Sequence, residues 1–351
     1  MAALAVGGGL FQWTVGKHGN LPDTADTRAI PEEARELYRR GTWLWNRRTP
    51  DGIAGAIEVL TRALEIHPDY AEAHAGLAMA YNLARQYSGM SGWEAYPKAE
   101  AHARRAVALD AGYAFGQSVL AFVEFHWLWR VQAGLERFET ARRLDPDSTD
   151  NLIWYASSLL HVARNEEALA MLTRAQELAP DNGTTHTMKA LALLYGGRLR
   201  EASTAVEELI RRNPDHPWNY AARSFIRLAE RDYAGYLEDY ARLGEKIAVP
   251  RYRAVAEAGL AALGAQGAEA MAQAMAAVDM VFFERGEALA WDIAGHYAMI
   301  GNGKEAMPWL NRSFDRHEER LIGLRMNVAF RPIRGEAQYR ALLARIGLPT
   351  D

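Results

Sequence analysis

Cysteine is absent from this chain. That excludes disulfides, thiolate metal sites and cysteine nucleophiles, and it suits an oxidising compartment as well as a reducing one. An excess of either charge is missing too: 40 Lys and Arg face 44 Asp and Glu, a net charge of −4 over 351 residues. A sequence-independent nucleic-acid binder carries a strongly basic domain or stripe, so nucleic acid is not expected as a partner. Long apolar runs are also lacking. The nearest, Met1 to Trp13 (MAALAVGGGLFQW), is too short to span a bilayer and has no basic leader. It reads as an N-terminal arm or as the last half of a membrane helix that starts elsewhere, and only the second reading brings in a membrane. Gly16 to Pro31 is polar and turn-rich, so residues 1–31 are taken as arm plus linker. The cytoplasm is the expected compartment, or the periplasm if an upstream membrane helix anchors the chain.

Catalytic motifs are scarce. No nucleophile elbow, phosphate loop or paired-carboxylate motif occurs, and His317-Glu318-Glu319 lacks the second His of a zinc-protease helix. Gly301-Asn302-Gly303-Lys304-Glu305-Ala306 fits a loose G-x-G-x-x-A, but no strand precedes it and a turn between helices explains its glycines. No catalytic residue, metal or cofactor is assigned.

What is present is a repeat. The set Ala168, Leu172, Ala175, Pro180 recurs 34 residues later as Ala202, Val206, Leu209, Pro214, the period of a tetratricopeptide helix pair. The small residues let two helices approach, the Leu or Val fills the groove between them, and the proline stops the unit. With 49% hydrophobic and 24% charged residues the chain can bury a large core. Earlier units end at Pro146 (Gly134, Phe138, Ala141) and Pro68 (Ala56, Leu60, Ala63). Ten residues beyond two periods separate those prolines, and most fall between Tyr81 and Ala99, where a long loop over 82–98 is expected. Past Pro214 the pattern fades through Trp218–Ala229, Tyr233–Leu243, Arg251–Leu263 and Ala268–Val278. It returns at Ala290, Ile293, Tyr297 and Ala306, Leu310, Ser313, and Ala337 to Ile346 reads as a cap. The expected fold is all-α: a right-handed α-solenoid of antiparallel helix pairs with a C-terminal capping helix. Residues 32–348 would form it as one domain of about seven to eight pairs.

One face of each first helix would line a concave groove. By position it holds Phe115, Ser118, Phe122, Phe125 and His126, then Asp150, Ile153, Ser157 and His161. Thr184, Thr187, Leu191 and Tyr195 follow, then Trp218, Ala221 and Phe225. Such a face is aromatic and apolar, with almost none of the Lys, Arg and Asn that would grip a peptide carboxylate, so a carboxylate clamp is not expected there. An apolar helix or extended peptide, a hydrophobic small molecule or the N-terminal arm would suit it. Packing between tightly wound units explains the same aromatics without a ligand. His126 and His161 occupy matching positions, with Glu124 and Asp150 as possible carboxylate neighbours; together they could bind Zn²⁺, serve as an acid–base pair or form a pH-responsive site, though no short ligand spacing supports a metal. The Trp-Leu-Trp runs at 43–45 and 127–129 read as core or as aromatic ligand contacts. Arg104-Arg105, Arg142-Arg143 and Arg211-Arg212 fit solvated helix C-termini.

The run LYRRGTWLWNRRTPDGIAGAIEVLTRALEIHPDYAEAHAGLAMAY from Leu37, with the later HWLWRVQAGLERF, resembles the repeat domains attached to bacterial winged-helix regulators and class III adenylate cyclases. The ending AGHYAMIGNGKEAMPWLNRSFDRHEE, then FRPIRGEAQYRALLARIGL, is similar to the close of those domains, so the resemblance covers roughly Ala34 to Leu348. It implies a sensory or interaction module. No winged helix, cyclase domain or complete membrane span accompanies it here, so the output of those relatives does not carry over. A non-enzymatic scaffold for a protein or peptide partner is the leading expectation, with the oligomeric state left open. A small-molecule site around Phe122, Phe125, His126, Trp154 and His161 is the second, and an enzyme using His126 or His161 the third.

Overall fold

A computed structural model describes residues 30–350. The arm at Met1 to Trp13, and the linker as far as residue 29, lie outside the described residues. No helix among those described is long and apolar enough to cross a membrane.

Among the described residues every regular element is helical, and they divide into two compact units. The first is built on α1 (Glu32–Asn46), α2 (Pro50–Ile66), α3 (Ala71–Tyr87), α4 (Gly92–Leu109), α5 (Ala114–His126) and α6 (Val131–Leu144). Three helices contribute residues to both units: α7 (Thr149–His161), α8 (Asn165–Leu178) and α9 (Gly183–Tyr195). The second unit contains α10 (Leu199–Arg212), α11 (Pro217–Ala229), α12 (Tyr233–Lys246), α13 (Pro250–Gln266) and α14 (Ala268–Glu284). It closes with α15 (Ala290–Ala298), α16 (Gly303–Asp315), the 3₁₀ segments Glu319–Gly323 and Val328–Ile333, and α17 (Ala337–Arg345). Within each unit successive helices pack on one another, and α17 lies against α16.

The repeat signature has a backbone cause at both of its turns. His67, Asp145 and Asn213, each before a proline, end their helices at nearly one conformation: φ/ψ −137/91, −138/89 and −139/84. Proline disfavours αR for the residue before it, which imposes this bend. Asp110 adopts −141/98 with no proline after it. Its Oδ1 instead accepts from Gly112 N at 2.8 Å, so a side-chain turn replaces the proline. The turn inside each pair carries a left-handed residue at the same 34-residue step: Trp129 (φ 52), Ala163 (62), Gly197 (81) and Arg231 (62), and Gly301 (81) does the same between α15 and α16.

Ala168, Leu172, Ala175, Ala202 and Val206 are fully buried, as helix contact requires, whereas Leu209 is half-buried. Gly134 shows how close the contact is: a Cβ there would lie 2.8 Å from Phe125 Cβ and 3.1 Å from the Ala121 carbonyl. One expectation is corrected. The extra residues between Tyr81 and Ala99 do not form a long loop. They lengthen α3 and α4 to 17 and 18 residues, against 13 and 14 in α5 and α6, and leave only a short turn between. Ser91 makes that possible by capping α4, its Oγ accepting from Glu94 N at 3.2 Å.

Candidate functional site

In the first unit the first helices carry a continuous aromatic row. Trp45 of α1 stacks on Phe115 of α5 with centroids 6.3 Å apart, and Phe115 reaches Trp154 of α7 at 6.2 Å. Phe122 meets Trp154 edge-on at 5.9 Å and His126 at 4.3 Å. Small residues on α3 allow this, since a Cβ on Gly76 would stand 2.8 Å from the Trp45 ring. Phe115 and Asp150 are half-buried, and Phe122 is 8% exposed. Ser118, Phe125, His126, Ile153, Ser157 and Thr184 are buried. Phe125 stands at the α5–α6 contact beside Gly134. Ser118 Oγ donates to Asn151 Oδ1 at 2.9 Å, which ties α5 to α7. Burial pushes the Arg48 guanidinium down to about 10, with Tyr87 and Asp150 acting against that shift, so this face has a cation beside Asp150. Glu124 is turned elsewhere: its carboxylate takes Arg137 Nε at 2.6 Å and Arg104 Nη2 at 3.5 Å.

The first Trp-Leu-Trp run splits between inside and outside, because residues two apart on a helix cannot share a face, whereas the second lies in the turn after α5, where Trp129 is half-buried. Trp45 is buried and Trp43 is 60% exposed. Trp127 is buried, stacked on Tyr96 at 4.6 Å, with the exposed Trp93 edge-on to it at 5.2 Å. The arginine pairs meet acids: Arg104 binds Glu100, Arg142 binds Glu139 and Arg212 binds Glu208 on their own helices.

In the second unit His161, Thr187, Leu191, Trp218 and Ala221 are buried, Phe225 is 8% exposed and Tyr195 is half-buried. Thr187 Oγ1 donates to Asn219 Oδ1 at 3.0 Å, the same device as Ser118 and Asn151. Among the described residues no group of three or more His, Asp or Glu is placed to hold a metal ion.

Two further places in this unit were not read from the sequence. Five buried or nearly buried groups form an ionic cluster: Arg251 Nη1 donates to Asp279 Oδ1 at 2.9 Å and to Asp292 Oδ2 at 3.1 Å. Arg320 Nη1 donates to Asp292 Oδ1 at 2.7 Å, and His296 Nε2 lies 2.7 Å from Asp279 Oδ2. Burial raises the Asp292 carboxyl, but Arg320 and Arg251 together hold it below its ordinary value. A hollow of about 60 Å³ beside the cluster is lined by Asp292, His296 and Arg320, with Phe225, Tyr236 and Tyr240 around them. The available signal was Asp279 itself, the one charge between Glu269 and Glu284 in an otherwise uncharged stretch of α14. The second place is a cavity of about 440 Å³ whose lining includes Arg325, Arg331, Arg334 and Arg340 with Tyr195 and Tyr339. Its signal was the basic run around FRPIRG.

No family model matches the chain. The transcriptional regulator HilA of Salmonella typhimurium is 26% identical over 189 residues, covering 52% of this chain and 34% of HilA. The chain thus spans about a third of that relative's length. Among solved structures, yeast Tom70 matches 96% of this chain and 70% of its own at 15% identity, with a TM-score of 0.53. TTC0263, a TPR protein of Thermus thermophilus, matches 52% of this chain and 92% of its own at 20% identity, with a TM-score of 0.43. With the 34-residue period, the shared turn conformations and regular elements that are all helical among the described residues, the fold is that of the tetratricopeptide repeat, an all-α solenoid of antiparallel helix pairs.

Proposed function

We propose that the chain is a non-enzymatic scaffold that binds an apolar segment of a protein or peptide through the aromatic face of its first unit. It would act as a sensor or interaction module in signalling or transcriptional regulation. The observation that carries this is the row Trp45, Phe115, Trp154, Phe122, in which Phe115 is half-buried rather than enclosed. Aromatic anchors in a mostly apolar groove supply most of the affinity in such contacts, and Asp150 beside Arg48 supplies one polar edge for register. Similarity to a transcriptional regulator over part of its length supports the regulatory setting. The module would work in the cytoplasm, or in the periplasm behind an upstream membrane helix.

Selection of peptides from a displayed library against the full chain tests the proposal. Selected peptides should be apolar, and Phe115→Ser should weaken them about tenfold, the loss of one aromatic anchor. Asp150→Asn, which keeps the shape at this half-buried position and removes the charge, should weaken them with only a small change in the unfolding temperature. Peptides that bind both variants as well as the parent chain would overturn the assignment of this face.

A further inference from the structure

The second unit holds a basic cavity whose features fit a small organic anion. The 3₁₀ segment Val328–Ile333 and the start of α17 approach the ends of α7 and α9, and a volume of about 440 Å³ is left between them. That lies within the usual range for ligand pockets, roughly 300–1,000 Å³. Among the described residues its lining contains no Asp or Glu.

Elsewhere in the fold many arginines meet carboxylates, as at Arg39, Arg142, Arg164, Arg174 and Arg198. Here they meet carbonyls. Arg331 Nη2 donates to Leu194 O at 3.3 Å, Arg334 Nη2 to Arg325 O, and Arg340 Nη1 to Gly335 O at 2.9 Å. A carbonyl accepts a hydrogen bond without neutralising charge, so Arg331 and Arg334 face one cavity as like charges. Burial first, and then the charge of Arg334, lowers the Arg331 guanidinium below its ordinary value.

Two buried polar atoms in the lining have no partner among the described residues: Arg334 Nε, a donor, and Asn165 Oδ1, an acceptor. Asn165 is held in place because its Nδ2 donates to Tyr195 O at 3.3 Å. Buried groups of this kind are costly unless a partner arrives.

We propose that this cavity binds a small organic anion. A carboxylate or phosphate group sits between Arg331 and Arg334, completing Arg334 Nε. A hydroxyl or amine of the same ligand donates to Asn165 Oδ1, and an apolar body of one ring or short chain lies against Leu160, Tyr195 and Leu343. The site is separate from the aromatic face of the first unit and stands whether or not that face takes a partner.

Isothermal titration of the full chain tests this with 3-phenyllactate, phenyl phosphate, inorganic phosphate and the uncharged 3-phenyl-1-propanol. Either aromatic anion should bind more tightly than inorganic phosphate, and the alcohol should not bind. Arg331→Gln/Arg334→Gln should weaken the anions by about tenfold or more, the loss of charge-assisted hydrogen bonds. Asn165→Ala should weaken 3-phenyllactate and leave phenyl phosphate unchanged, a readout that separates recognition from general damage. A short peptide as free acid and as amide distinguishes a peptide terminus from a free metabolite: binding of neither form favours the metabolite, binding of the acid alone extends the same anion site to a peptide carboxylate, and equal binding of both forms counts against anion recognition. Failure of every anion to bind, or binding unchanged in the folded double variant, overturns the proposal.

Discussion

Asp279 provides a direct test of how the second unit is held together. Its side chain is fully buried, and its two oxygens serve Arg251 at 2.9 Å and His296 at 2.7 Å. Asp279→Asn keeps the shape and removes the charge. The amide must then turn its NH₂ towards one of two donors, and Arg251, only 5% exposed, keeps a single carboxylate, Asp292 at 3.1 Å. Breaking a buried ion pair by removing one member costs about 3–5 kcal/mol because a charge is left uncompensated. Since Asp292 still serves Arg251, the lower end, about 3 kcal/mol, is expected.

Replacing both members by apolar residues has a different expected outcome. Arg251→Met/Asp279→Leu removes the charge and its counter-charge together and leaves the Asp292–Arg320 pair at 2.7 Å intact. Desolvation of two ions is then no longer required, so the double variant should lose less than Asp279→Asn alone. Urea denaturation followed by circular dichroism, with hydrogen exchange of α13 to α15 to localise the effect, measures both. Glu36→Gln, which breaks the exposed pair with Arg39, is the control and should cost under about 0.5 kcal/mol. A loss below about 1 kcal/mol for Asp279→Asn, or a double variant worse than the single, would refute the reasoning.

Two further predictions concern the first unit. His74 and His102 face each other with Nδ1 atoms 2.9 Å apart, and His74 Nε2 lies 3.0 Å from Pro68 O; one Nδ1 must accept, so at least one ring of the pair is neutral. Burial, and then the charge His74 would carry, pushes His102 down to about 4, while burial lowers His74, with Arg105 and Asp69 acting in opposite directions on it. The unfolded chain therefore binds protons more readily below about pH 6.5, and stability should fall between there and about 4. The loss at His102 should be about 1–2 kcal/mol, half of the full linkage value because the ring is partly exposed. His102→Phe, which keeps a ring against Tyr81, should show a flatter urea midpoint between pH 7 and 4.5; an unchanged slope contradicts the prediction. Gly134→Ala should destabilise by about 1–3 kcal/mol in the same denaturation assay, because the new Cβ meets Phe125 N at 3.0 Å and Ala121 O at 3.1 Å, backbone atoms that cannot move aside. Parent-like stability would mean that α5 and α6 can separate.

The period was legible because helix contact and proline geometry write it into the chain directly. Ala168 and Ala202 are small because a neighbouring helix presses on them, and the residues before Pro68, Pro146 and Pro214 share one conformation. Where Asp110 performs that bend by a side-chain hydrogen bond, proline counting lost the unit boundary and assigned the surplus residues to a loop. Face membership was legible by helical counting; accessibility was not. Phe115 and Phe125 were read as equivalent members of one face, yet Phe115 is half-buried and Phe125 wholly enclosed against α6. Nothing local encodes the basic cavity either, for it joins Leu160 and Tyr195 to residues from Arg325 onwards.

The fading of the repeat past Pro214 has a specific physical cause. The positions of Ala202 and Val206, advanced by 34, are Tyr236 and Tyr240. A tyrosine where alanine stood cannot be accommodated at the same helix spacing, and the room it needs is shared with polar groups. Asp239, between the two tyrosines and 1% exposed, takes Arg223 at 2.7 Å and Arg227 at 3.3 Å from α11. One helix pair further on, Arg251 and Asp279 join α13 to α14 in the same way. From α11 to α15, then, interhelical contacts rely heavily on ion pairs where the earlier units use alanine and leucine. A search for the apolar motif must weaken there, and charged residues at core spacing become the informative signal. On that basis Arg223→Ala should destabilise more than truncation of Arg242, whose pairing with Glu245 is exposed and confined to its own helix. Equal effects of the two truncations would place the stability of α11 and α12 in their apolar contacts alone.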